Sequence, residues 1–175
     1  MIVHEMTPDE CHEFLKRVKF GRLGCAHDNQ PYVVPIYFAC DGKHLYCFST
    51  EGRKIEWMRQ NPLVCVEVDE VISHLDWRSV VVLGRYEELS DVPARIKDRE
   101  YALELLQKRA MWWQPAYVAV EHRSSPDALN PVFYRIKIDQ ISGHRGMPDS
   151  FEEAASSVTA VIKPKSRWYL FSPRK

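Results

Sequence analysis

Residues Leu45–Pro62 read L-Y-C-F-S-T-E-G-R-K-I-E-W-M-R-Q-N-P. An apolar strand over His44–Ser49 runs to the hydroxyls of Ser49 and Thr50. Gly52 permits a tight turn, and Arg53–Gln60 forms a short helix that Asn61-Pro62 stops. The first amides of a helix are unpaired and point outward, so its start attracts anions. Arg53 can grip two phosphate oxygens at once, and Lys54 adds a mobile point charge. Cations, hydroxyls and free amides converging on one point are the parts of a phosphate site. The same residues also make an ordinary solvated basic turn, and the local pattern alone leaves both readings open.

Working outward, the preceding stretch Pro31–Phe38, P-Y-V-V-P-I-Y-F, is an apolar strand interrupted by Pro35. Proline removes a ladder donor and belongs at an edge or a bulge. The backbone groups it frees can meet the polar edge of a planar ring, or the proline can simply blunt an edge strand. Strands are predicted over Phe20–His27, Tyr32–Cys40, Leu63–Val71 and Trp77–Leu89. The polar turns Asp28-Asn29-Gln30 and Asp41-Gly42-Lys43 act as hairpin links. Ser79 shares a face with Val81 and Leu83, and Gly84 marks a bulge or a close approach.

A first helix is capped by Thr7 and Glu10 around Pro8, with Cys11, Phe14, Leu15 and Val18 at helical spacing. A longer one runs from Pro93 to about Lys108, with Ile96, Leu103, Leu105 and Leu106 on its apolar side. Further strands are expected at Ala116–Glu121 and Val132–Ile141, separated by a polar loop over His122–Pro131. Residues 146–175 read as a tail that docks or is partly disordered. The pattern fits a small antiparallel barrel with helices at its margins, and an open sheet with flanking helices nearly as well.

Composition narrows the function. The chain has 175 residues, 45% hydrophobic and 27% charged, enough for one domain. Lys plus Arg and Asp plus Glu each number 24, which gives no support to a nucleic-acid binder relying on bulk charge. No apolar run approaches the length of a membrane span, and the N-terminus has no signal-peptide pattern. Cys11, Cys25, Cys40, Cys47 and Cys65 are odd in number and lack C-x-x-C spacing, so they read as buried thiols of a reducing, cytoplasmic compartment. The histidines show no ligand spacing, so no metal is expected.

The stretches G-R-L-G-C-A, Q-P-Y-V-V-P-I-Y-F, L-Y-C-F-S-T-E-G-R-K, N-P-L-V-C-V-E-V-D and W-R-S-V-V-V-L-G-R-Y-E-E-L follow one another from Phe20 to Leu89. In that order they resemble the pyridoxamine 5′-phosphate oxidase-like superfamily, and most closely its nitroimidazole-resistance and flavin-nucleotide-binding branch. F-Y-R-I-K-I-D-Q-I-S-G over residues 133–143 is similar to the family's last barrel strand.

The resemblance implies a mainly β fold with flanking helices over residues 1–145, a six-stranded antiparallel Greek-key split β-barrel. It implies a homodimer with FMN at the interface. Arg53 and Lys54 match the phosphate pair, and Ser49 and Thr50 line the phosphate and ribityl chain. Val34, Pro35, Ile36 and Tyr37 meet the isoalloxazine edge, Phe48 lies on the adjoining strand, and Ser79 contacts the flavin from a neighbouring strand. The expected activity is electron transfer from NADH or NADPH to a small-molecule acceptor. A flavin carrier or sensor, a barrel using deazaflavin F420 or haem, and a structural dimer without cofactor are the alternatives. Phe48 stands where nitroimidazole-resistance relatives often carry histidine, and Ile141–Arg145 lacks the oxidases' C-terminal Trp and Arg-Leu patterns. No catalytic side chain is identified; Tyr37 and His144 are read first as structural.

Overall fold

The computed structural model describes residues 1–109 and 131–148. The elements in chain order are β1 (Ile2–Glu5), α1 (Pro8–Arg17), β2 (Phe20–His27), β3 (Gln30–Cys40) and β4 (His44–Thr50). They continue with α2 (Arg53–Gln60), β5 (Leu63–Val71), β6 (Trp77–Glu88), α3 (Ile96–Gln107) and β7 (Pro131–Met147). The expected strand at 116–121, Trp112, Trp113, the polar loop up to residue 130 and the tail beyond residue 148 lie outside the described residues.

Local chemistry sets the elements. The Glu10 amide donates to Thr7 Oγ1 at 3.3 Å while the Thr7 amide donates to the Glu10 carboxylate at 2.8 Å, closing a reciprocal cap on α1. Asp28 and Asn29 both take positive φ, 48° and 61°, as a two-residue hairpin turn requires. At the next turn Asp41 Oδ1 accepts from the amides of Lys43 and His44, and Gly42 supplies φ 94°.

The strands close on themselves. Their order is β7-β4-β3-β2-β5-β6, with β6 returning to β7, every pair antiparallel. This decides between the barrel and the open sheet in favour of a six-stranded barrel. β1 is a seventh strand that the sequence pattern missed. It pairs with His144–Met147 of β7, on the edge that β4 occupies along Pro131–Lys137. β7 therefore continues six residues past its expected end at Ile141, through Gly146 and Met147.

Inside lie Leu23, Phe38, Leu45, Val66, Val68, Val82, Tyr134 and Ile136, all buried. α1 packs Cys11, Phe14 and Leu15 onto this core, and α2 plugs one end with Ile55 and Met58. α3 covers Tyr46 and Leu89 outside the barrel. It begins at Ile96 rather than Pro93, and it buries Ala102 and Leu106 while Ile96 and Leu103 stay exposed. The expected close approach at Gly84 is real: a Cβ there would stand 2.3 Å from the Lys137 carbonyl. The β6–β7 register shifts at that point, leaving Asp139 as the extra residue of a bulge.

Candidate functional site

The barrel is slit along one seam. β3 pairs with β4 only through Phe38–Cys40 against Leu45–Cys47. Toward Gln30, β3 stays with β2, while the far half of β4 stays with β7. The two strands part at Phe38, three residues before Pro35 is reached, so the proline needs no partner on its β4 side. A cleft of about 280 Å³ opens between them, lined by Phe20, Pro35, Ile36, Tyr37, Phe48, Ser49, Thr50 and Lys54.

Seven of the ten residues singled out from sequence thus meet at one place: Pro35, Ile36, Tyr37, Phe48, Ser49, Thr50 and Lys54. Phe20, paired with Tyr37 at the start of β2, was not foreseen, because its position looked like an ordinary strand start. Val34 turns inward and packs against the barrel core. Ser79 lies away from the cleft lining, its hydroxyl donating to Glu67 at 3.2 Å. Arg53 and Lys54 diverge. Lys54 reaches the cleft, while the Arg53 guanidinium lies 5.5 Å from the centroid of the Tyr32 ring.

Three features give the cleft its chemistry. Its walls carry the rings of Phe20, Tyr37 and Phe48, the last packed on Phe133 with centroids 5.2 Å apart. One end is closed by the start of α2, where the first helical bonds run from Ile55 and Glu56 to the Gly52 carbonyl. No side chain caps that terminus, so the Arg53 and Lys54 amides precede the first helical bond. Gly52 itself has φ 153°, a conformation only glycine adopts freely. The third feature is Lys54, whose ammonium is pushed below its ordinary value by burial, opposed by the nearby Cys47 and Cys25. A partly desolvated cation beside unused amides favours an anionic ligand. Among the described residues, no group of three or more His, Cys, Asp or Glu side chains could hold a metal ion.

A closed six-stranded antiparallel barrel, slit between β3 and β4 and plugged by a short helix, is the split barrel seen in flavin-binding proteins. The chain belongs to the pyridoxamine 5′-phosphate oxidase family, whose model matches residues 7–145. It is 38% identical over 143 residues to an uncharacterized protein of Rhizobium meliloti, covering 82% of this chain and 95% of that one. The crystal structure of a FAD-binding protein from Mesorhizobium loti superposes with TM-score 0.69 at 43% identity, covering 85% of this chain and 99% of that chain. A FAD-binding protein from Mycobacterium smegmatis shares the fold alone, at 22% identity and TM-score 0.56, over 81% and 98% of the two chains. Among the described residues no helix is long and apolar enough to cross a membrane.

Proposed function

We propose that the cleft between β3 and β4 binds a flavin nucleotide, and that the protein is an oxidoreductase passing electrons from NADH or NADPH to a small acceptor. The observation that carries this reading is the joining of an aromatic slit to an uncapped helix start bearing Lys54. The parts fit the ligand. Phe20, Tyr37 and Phe48 suit a flat tricyclic ring, and the edge of β3 from Val34 to Ile36, beyond its pairing with β4, offers backbone groups to its polar rim. Ser49 and Thr50 stand beside the ribityl chain, and Lys54 with the first α2 amides meets the phosphate.

When bound, the flavin supplies the two-electron chemistry, and the protein supplies position and electrostatics. FMN satisfies every one of these groups. FAD, which the Mesorhizobium loti relative is described as binding, carries the same flavin, ribityl and first phosphate.

A cleft of about 280 Å³ falls just below the usual range for a whole small-molecule site, about 300–1,000 Å³. One chain therefore provides one wall, and a second copy completes the site. The sheet face next to the cleft supports a homodimer: Phe20, Val33, Leu63 and Leu83 are 46%, 64%, 56% and 47% exposed there. Among the described residues, Tyr37 and Lys54 are the only ionisable side chains lining the cleft. That scarcity of acid–base groups also suits a flavin carrier, the second reading.

The visible spectrum of the purified protein is the test. Flavin bands near saturation, with the flavin released on denaturation, are expected. Colourless protein that takes up no added flavin overturns the reading. Stopped-flow mixing with NADH or NADPH then separates enzyme from carrier, because a carrier reduces no faster than free flavin.

A further inference from the structure

The divergence of Arg53 from Lys54 leaves a second group of side chains next to the cleft. Neighbouring helix positions point about 100° apart, so two cations at one helix start face different places. Among the described residues Arg53 has no carboxylate partner. Arg59 on the same helix, by contrast, is held by both Glu51 and Glu88. The contact of Arg53 is the face of Tyr32, 5.5 Å from guanidinium to centroid. Tyr32 in turn meets Trp57 edge-on at 5.5 Å, and Trp57 meets His27 at 5.8 Å with the planes tilted by 47°.

Tyr32, Trp57 and His27 are half-buried and Arg53 is exposed, so part of each ring remains open to solvent. α2 presents Arg53 and Trp57 one turn apart, and the β2–β3 hairpin supplies His27 and Tyr32 across from them. This is a row of three rings leading away from the cleft, with an uncommitted cation at the near end.

We propose that this array seats the adenylate half of a flavin dinucleotide, with Arg53 on the second phosphate and the purine stacked against the rings. The proposal rests on the flavin reading of the cleft. Its logic is positional: adjacent phosphates of a diphosphate call for adjacent cations, and Lys54 and Arg53 are consecutive residues of one helix start, the first lining the cleft and the second lying over Tyr32. Purines stack on aromatic side chains whatever their edge chemistry, and a guanidinium over a ring serves phosphate and base together.

The experiment is calorimetric titration of flavin-free protein with riboflavin, FMN and FAD, for the parent chain, Arg53→Ala and His27→Ala. Neither variant removes a buried core side chain, and thermal melting checks that each folds. FAD is expected to bind the parent at least about ten-fold more tightly than FMN. Each variant is expected to weaken FAD by about ten-fold while moving FMN by less than about three-fold. Equal affinities of the parent for FMN and FAD would overturn the assignment, as would equal losses of both in the variants, and either result leaves the flavin cleft standing. Failure of all three flavins to bind would overturn the cleft itself and the array with it.

Discussion

Lys54→Met tests the site at its most informative atom. The substitution keeps the side chain's length and apolar stem and removes its charge. A hydrogen bond to a charged group contributes about 1.5–3 kcal/mol net. Because Lys54 is half-buried rather than sealed, the lower half of that range applies. FMN binding should weaken by about 10- to 40-fold. Riboflavin has the same ring and ribityl chain but no phosphate, and should change little.

The pH dependence follows from the same group. Burial lowers the Lys54 pKa from its usual 10.5, so the unfolded chain holds that proton more tightly than the folded one. The cost to stability is complete below the depressed pKa and disappears as pH rises toward 10.5. A phosphate restores the proton's partner, so FMN affinity should fall with rising pH across that window in the parent and stay flat in Lys54→Met. The flavin-free variant should melt no lower than the parent at pH 7. Calorimetry with FMN and riboflavin at several pH values, beside thermal melts, gives all three quantities. Equal losses for FMN and riboflavin, or a lower melting temperature, would mean that Lys54 supports packing instead of a phosphate.

Two further outcomes probe the scaffold. Gly84→Ala would drive a methyl to 2.3 Å from the Lys137 carbonyl and 2.8 Å from Ile136 Cγ2. This should cost about 1–3 kcal/mol, read as a lower denaturation midpoint; an unchanged midpoint would show that the β6–β7 bulge yields freely. Burial pushes the Cys47 thiol up to about 12, so a thiol reagent at pH 8 should modify half-buried Cys65 first and reach Cys47 only on unfolding. Modification of Cys47 in the native protein would contradict the sealed barrel interior.

What could be read in advance depended on how local the cause was. The caps of α1, the Asp28-Asn29 turn and the Asn61-Pro62 stop are each set within a few residues, and those elements appear where expected. β1 is four residues long and owes its existence to β7, far along the chain, so no local pattern announced it. β7 looked shorter than it is because Ser142–Met147 carry no apolar alternation and are strand only through pairing with β1 and β6, although the bulge at Asp139 inside the expected span also breaks the alternation. Val132, Tyr134, Ile136 and Ile138 face inward at every second residue, and Ile141 resumes the inward face after a gap of three. The cleft was legible through Pro35 and the Ser49–Lys54 turn, both local signals. Helix geometry alone turns Arg53 and Lys54 different ways, but which of the two would line the cleft was not legible, because the partner of Arg53, Tyr32, arrives from another strand.

β7 also governs the order in which the molecule can be completed. It is the last described strand in the chain, yet among the described residues it is the one lateral partner of β1, the outer neighbour of β4, and the strand to which β6 returns. Among the described residues, β2 to β6 form an open sheet during synthesis whose two borders, β4 and β6, wait for the same segment. Such borders invite pairing with other chains. Closing them spans a long stretch of intervening sequence, which makes it entropically expensive and late. A nascent chain halted after β6, at Glu88, thus presents two open β-edges that the finished barrel no longer has.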